Sequence, residues 1–258
     1  MDLGIAGRKA LICASSRGLG RACAEALARE GVIIYVNGRD EDRLAQTVSD
    51  LRQNGFDAHG ICADVTTGIG RDALLAHCPD PDILVNNNAG PSPGAFLSFD
   101  RATWLSALEA NMVAPIELVR AVLPTMRERQ FGRIINITSA MVTTPRPHMT
   151  LSAGARAGLT AVMKGLSLEV ARDNVTINNL LPERFDTARQ EQMAQVAMQR
   201  EGIDYEEARR RQVESIAARR LGNPEEFGAM CTFLASSLAG FISGQNVHLD
   251  GGSYPALI

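Results

Sequence analysis

A single-domain, doubly wound parallel α/β sheet is the fold this chain predicts. One observation is size: 258 residues with 45% hydrophobic content can bury one large core. Another is rhythm: short Val- and Ile-rich runs alternate with helix-period segments from end to end. Such alternation implies right-handed crossovers between parallel strands, with helices on both faces. Lys9–Ala14 reads as the first strand, and Leu19, Ala22, Cys23, Ala26 and Leu27 then share one helical face. Val32–Val36 is the second strand, followed by a charged helix over Glu41–Asn54 that stops at Gly55. His59–Ala63, Ile83–Asn86 and Ile134–Ile137 are further strands, each followed by turn residues and a helical pattern. Leu105–Met126 and Ser152–Val170 are the longest amphipathic helices, and Val175–Leu180 is another strand. Arg184–Leu221 breaks the rhythm, being long, charged and helical where a tight connection suffices. A lid at about 184–221 and a plain solvated excursion both fit that stretch. There is no internal repeat, linker or low-complexity segment.

Composition narrows the functional classes. A net charge of −3 gives no excess of positive charge for nucleic acid or an anionic membrane. The five cysteines, Cys13, Cys23, Cys62, Cys78 and Cys231, form no C-x-x-C pair, and several fall in apolar runs. They read as reduced core cysteines, and the four His lack metal-ligand spacing, so no metal is expected. Met1–Lys9 has no apolar signal stretch and no run reaches the length of a membrane span, so a cytoplasmic protein is expected.

The join between the first strand and first helix, Cys13-Ala14-Ser15-Ser16-Arg17-Gly18-Leu19-Gly20, is built of small residues. Backbone can approach a pyrophosphate there, with the helix N-terminus supplying free N–H groups. The second strand ends at Asn37-Gly38-Arg39. A carboxylate at that point would take the ribose hydroxyls of NAD; Gly38 offers none. Arg39 and Arg17 can instead converge on a 2′-phosphate, which favours NADP.

The whole chain resembles the short-chain dehydrogenase/reductase family, near its bacterial 3-oxoacyl-carrier-protein reductase-like members. The family's Thr-Gly-x-x-x-Gly-x-Gly loop matches residues 13–20, with Cys13 and Ala14 in place of Thr and Gly. Ala14 costs little at negative φ and about 1–2 kcal/mol in the left-handed region. Asp64-Val65 matches the pair that holds adenine. Asn87-Asn88-Ala89-Gly90 matches Asn-Asn-Ala-Gly, one residue later than a reading from Asn86, and Gly90-Pro-Ser-Pro-Gly94 resembles the segment that follows in close relatives. Asn111 matches the catalytic Asn and Ser139 the catalytic Ser. Asn178-Asn-Leu-Leu-Pro182-Glu183 resembles Asn-x-x-x-Pro-Gly with Glu183 replacing Gly, and Thr187 would then reach the nicotinamide amide. Arg220-Leu-Gly-Asn-Pro-Glu-Glu and His248-Leu-Asp-Gly-Gly resemble the closing motifs. The resemblance implies a Rossmann-type fold and a homotetramer.

One departure is chemical. Ser152 and Arg156 stand where the family carries Tyr and Lys. A Tyr phenol, with an ordinary pKa near 10, is drawn toward neutrality by an adjacent cation. A Ser hydroxyl is a far weaker acid, and Arg stays protonated. Four residues apart on one helical face, Ser152 and Arg156 retain a cationic, hydrogen-bonding pocket without its proton donor. No Tyr precedes Arg156 on its helix. His148 is a candidate titrating group beside the site or a rim histidine, and Arg146 either holds an anionic substrate or faces water. Three readings stay open. The leading one is an NADP(H)-dependent oxidoreductase of a small carbonyl or alcohol, with Asn111, Ser139, Ser152 and Arg156 in the site, Arg156 also touching cofactor. The others are enolate chemistry without hydride transfer and a non-enzymatic NADP(H) sensor or assembly subunit.

Overall fold

The computed structural model describes residues 1–257, so residue 258 of the expected domain lies outside the described residues. Within the described residues seven strands form one sheet: β1 (Lys9–Ile12), β2 (Ile33–Gly38), β3 (Ala58–Cys62), β4 (Ile83–Asn86), β5 (Gly132–Ile137), β6 (Val175–Pro182) and β7 (Asn246–Leu249). Their order is β3-β2-β1-β4-β5-β6-β7, and every neighbouring pair is parallel. All of β4 and β5 is buried, which is why they read as short Ile- and Val-rich runs rather than alternating ones, and the polar residues they carry, Asn86, Arg133 and Asn136, are hydrogen-bonded. The chain winds outward in both directions from the β1–β4 pair. A crevice therefore opens above the carboxyl ends of those two strands.

Among the described residues nine α-helices cover the sheet: α1 (Gly18–Arg29), α2 (Glu41–Gln53), α3 (Gly68–His77), α4 (Arg101–Leu108), α5 (Ala114–Glu128), α6 (Thr150–Val170), α7 (Ala188–Glu201), α8 (Tyr205–Glu214) and α9 (Pro224–Ala235). On one face Leu27 of α1, Leu44 and Leu51 of α2, and Phe227 and Leu234 of α9 pack against the strands. On the other, Leu74 of α3, Leu118 of α5, and Leu159 and Met163 of α6 do so. Each such fully buried side chain contributes about 1.5–3 kcal/mol.

Three expectations need adjusting. β1 ends at Ile12, two residues early, because Ala14 turns into the left-handed region at φ 45°. The helix expected over Leu105–Met126 is broken by a π-helical turn, Glu109–Val113, between α4 and α5. Pro115 lacks the N–H that an unbroken α-helix would donate to the Asn111 carbonyl, so the turn widens there. Cys62 is exposed while the other four cysteines are buried, and all five are free thiols. The stretch 184–221 holds α7 and α8, joined by the Gln212 amide donating to the Gln190 carbonyl at 2.9 Å and an Arg211–Glu201 ion pair at 2.8 Å. Among the described residues no helix is long and apolar enough to cross a membrane.

Candidate active site

A cavity of about 760 Å³ follows the crevice, from the end of β2 across β1 and β4 to the β5–α6 and β6–α7 connections. Its first wall is the loop from Ala14 to Leu19. Gly18 sits at φ 58°, which a side chain would resist, and it opens α1. A Cβ on Gly20 would stand 2.6 Å from the Ala14 carbonyl oxygen, so the helix start is pressed against the strand end. Ser15 is turned inward: its hydroxyl donates to the Ile12 carbonyl at 2.6 Å and accepts from the Asn37 N–H at 3.0 Å. Ser15 and Gly20 therefore shape the loop from behind, while Ser16, Arg17, Gly18 and Leu19 line the cavity. Asn37 also steadies the strained turn, its Oδ1 accepting from the Ala14 N–H at 3.0 Å.

At the β2 end Gly38 carries no carboxylate for an NAD-type ribose clamp, and a Cβ there would stand 2.9 Å from Ser16 Oγ, so a side chain would require Ser16 to move. Arg39 and Arg17 are exposed on the cavity wall, and Arg43, one turn after Arg39, joins them. Arg39 reaches Asp64 at 3.3 Å. Burial raises the Asp64 carboxyl, but hydrogen bonds from Thr66 and the pairing with Arg39 outweigh it and leave the group below its ordinary value. Val65 lines the cavity beside it.

The β4 end supplies Asn87, Asn88 and Ala89. Asn87 donates to the Ala14 carbonyl at 3.1 Å, tying the two switch-point loops together. Asn88 donates to the Ala110 carbonyl at 3.2 Å, inside the π turn. The wide turn carries Asn111, whose Nδ2 faces the carbonyls of Ala89 at 3.5 Å and Ala107 at 3.4 Å. Asn111 is buried behind the wall rather than on it, and its Oδ1 has no protein partner. Such a buried acceptor calls for a donor, and a water is the simplest one.

Ser139, just past β5, and Ser152 and Arg156, on the first turns of α6, meet on the cavity floor. Ser139 Oγ accepts from the Met141 N–H at 3.2 Å. Ser152 is buried apart from its cavity face. Arg156 Nη1 donates to the Ile137 and Thr138 carbonyls at 2.6 and 2.9 Å, and Nη2 to the Asn88 carbonyl at 3.3 Å. Burial, with nearby Arg189 adding to it, pulls this guanidinium down to about 10, so it remains a cation at neutral pH. Three of its five N–H groups hold the ends of β4 and β5, and two are left for a ligand.

The opposite wall comes from the β6–α7 connection, with Thr187 capping α7. Here lie Arg146 and His148, both expected near the site, together with Glu183, Arg184 and Arg189, which the sequence did not mark as site residues. Glu183 is nearly fully buried, paired with Arg146 at 2.7 Å and Arg184 at 3.5 Å. Arg189 donates from Nη2 to the Pro91 carbonyl at 3.1 Å, across the cleft. His148 lines the same end, and burial, then the charges of Arg200, Arg146 and Arg184, lower its pKa. None of Tyr35, Tyr205 or Tyr254 lines the cavity. Arg43 had a readable signal, its spacing from Arg39; Arg146 and Glu183 were each visible in the sequence, but their pairing joins positions 37 residues apart and had no local signal.

Comparison with known proteins agrees with this geometry. Residues 13–254 match the family profile described as Enoyl-(Acyl carrier protein) reductase. The chain is 32% identical over 250 residues to Nodulation protein G of Rhizobium sp. (strain N33), covering 96% of this chain and 97% of that one. It is 31% identical over 256 residues to 3-oxoacyl-[acyl-carrier-protein] reductase FabG of Vibrio cholerae, covering 98% and 99%. Among solved structures, L-sorbose reductase from Gluconobacter frateurii, complexed with NADPH and L-sorbose, superposes with a TM-score of 0.94 at 30% identity, covering 100% of both chains. With the sheet order, the switch-point cavity and near-complete coverage in agreement, the chain belongs to the short-chain dehydrogenase/reductase family.

Proposed function

We propose that this protein is an NADP(H)-dependent oxidoreductase that interconverts a small carbonyl compound and its alcohol at a modified active site. The observation that carries the reading is one continuous cavity with an arginine-flanked, carboxylate-free β2 end and, at its other end, Ser139, Ser152 and Arg156 on a common floor. The relatives bearing NADPH in their structures support the cofactor. The residues fit it: the Gly18–Gly20 helix start can take the pyrophosphate, Arg17 and Arg39 a 2′-phosphate, Asp64 and Val65 the adenine, and Asn87, Asn88 and Ala89 the ribose side. Thr187, at the mouth of α7, can hold the nicotinamide amide.

NADP(H), when bound, supplies or accepts the hydride. The Ser139 hydroxyl polarises the substrate oxygen. Arg156 keeps two N–H groups for the cofactor ribose and for negative charge developing on that oxygen, and in a water-poor floor such fixed charge acts strongly. Ser152 passes a proton between the substrate oxygen and water rather than acting as an acid itself, and the unpartnered Oδ1 of Asn111 holds a water of that relay. His148, its pKa lowered, is neutral at pH 7 and positioned to accept or return a proton at the cavity rim. In the same reading α7 and α8 form a lid, the protein works in the cytoplasm, and it assembles as a homotetramer.

A cofactor-coupled screen of carbonyls and alcohols, with NADPH and NADH binding measured alongside, tests this. NADPH should bind at least about tenfold tighter than NADH. Arg39→Ala should cost NADPH about 1.5–3 kcal/mol, the loss of one charge-assisted phosphate contact. Equal affinities would overturn the cofactor assignment. Tight NADPH binding with no turnover on any carbonyl or alcohol would instead identify a cofactor-binding protein without redox activity.

A further inference from the structure

Charge in the cavity is unevenly divided. At the β2 end Arg17, Arg39 and Arg43 face Asp40 and Asp64. At the far end Arg146, Arg156, Arg184 and Arg189 face one carboxylate, Glu183, leaving an excess of three positive charges in a chain whose net charge is −3. Arg156 and Arg189 have only backbone carbonyls and the Gln192 amide oxygen as partners. Arg146 and Arg184 share Glu183 between them. Burial lowers the pKa of Arg156, Arg184 and Arg189, a sign that their charges are held against a desolvation cost. Gathering four guanidiniums around one carboxylate in a part-buried pocket is unfavourable unless a further anion joins them.

The cofactor does not bring that anion. Its phosphates belong to the Gly18–Gly20 loop and the β2 end, while the nicotinamide is neutral when reduced and positive when oxidised. Resting on the oxidoreductase reading, we propose that the substrate is itself an anion: a small carbonyl or hydroxy compound whose carboxylate or phosphate is gripped by Arg146 and Arg184. Arg146 enters from the β5–α6 connection and Arg184 from the β6–α7 connection, so the grip spans both walls of the substrate end. Glu183 orients the Arg146 guanidinium through a 2.7 Å hydrogen bond before the substrate arrives, while Arg184, 3.5 Å from the same carboxylate, is held by Ser215 Oγ at 3.0 Å and Gln190 Oε1 at 3.4 Å. Glu183 also competes with the incoming anion, so it sets the affinity as well as the geometry.

The test uses protein saturated with NADP⁺, titrated calorimetrically with inorganic phosphate and separately with succinate at fixed ionic strength. One anion should bind saturably, and whichever is tighter names the substrate's charged group. Arg146→Gln and Arg184→Met should each weaken it by about tenfold or more, with NADPH affinity changed less than about threefold. Glu183→Gln, nearly isosteric, should tighten it, which a merely structural Glu183 would not do. Arg146 is partly exposed, so its variant keeps the test open should the Arg184 variant fail to fold. Absence of saturable binding by either anion, or binding indifferent to both arginine variants, overturns the proposal. A protein that reduces neutral ketones without competition from either anion refutes the anionic substrate and leaves the oxidoreductase reading standing. Anion binding with no redox turnover does the reverse.

Discussion

At the scale of single residues, Ala14 and the Ser152–Arg156 pair depart furthest from their family. Ala14 adopts φ 45°, where a Cβ costs about 1–2 kcal/mol, and it is held by Asn37 and Asn87 on either side. Ala14→Gly relieves that strain at some cost in unfolded-chain entropy, for a net gain of about 1 kcal/mol. Thermal unfolding should then shift upward by about 2–4 °C, and an unchanged or lower midpoint would contradict the strain. The sequence left two outcomes open at this position, because Ala is compatible with both and only the packed loop chooses. For the Ser152–Arg156 pair, the proposed function expects Arg156→Ala to weaken both NADPH binding and turnover, since it removes a proposed cofactor contact together with three backbone ties. Ser152→Ala should leave binding nearly intact and clearly reduce turnover. A kinetic comparison across pH decides this, and wild-type rate in Ser152→Ala would remove Ser152 from the mechanism. The wild-type profile should lack a tyrosine ionisation, because no Tyr lines the cavity.

Among elements, the strands were legible because parallel strands buried on both faces leave continuous apolar runs, as in Ile83–Asn86, which matched residue for residue. The π turn was not legible. Leu105–Met126 keeps a helical pattern throughout, and the widening at Asn111 depends on a missing N–H at Pro115. That turn offsets Asn111 from the α-helical register and brings its amide to Ala89. The two-helix excursion after β6 was visible as charged and helical, yet its crossing to the opposite wall, Arg189 to Pro91, is a tertiary contact with no local signature. If α7 and α8 act as a lid, their amides should exchange more slowly once NADPH and an anionic ligand are bound, since ligands order segments drawn from the low-stability end. Hydrogen exchange with equal protection in free and fully liganded protein would count against the lid.

For the molecule as a whole, sheet order and cavity position follow from the alternation of elements, whereas assembly leaves only indirect marks. Val162 and Leu168 of α6 and Leu105 of α4 expose apolar surface, and Phe241, just before the edge strand β7, is fully exposed. Residues of this kind on long helices and beside an open sheet edge are suited to contact between copies of one chain. Sedimentation at micromolar concentration should therefore give a homotetramer, and Leu168→Asp with Val162→Asp should lower the mass. A wild-type monomer would show that these faces meet water instead.

The three backbone ties made by Arg156 also bear on how the chain can change over generations. A lysine at 156 carries three N–H donors on a single nitrogen, whereas Arg156 spreads its contacts over two, Nη1 to Ile137 and Thr138 and Nη2 to Asn88, so Arg156→Lys alone exchanges a two-centred grip on this buried floor for a one-centred one. Ser152→Tyr alone places a phenol beside a guanidinium that already spends three of its five N–H groups on the backbone. The two positions, one turn apart on α6, therefore form one unit in which the size of residue 152 and the reach of residue 156 bear on each other, so they are expected to change together rather than singly.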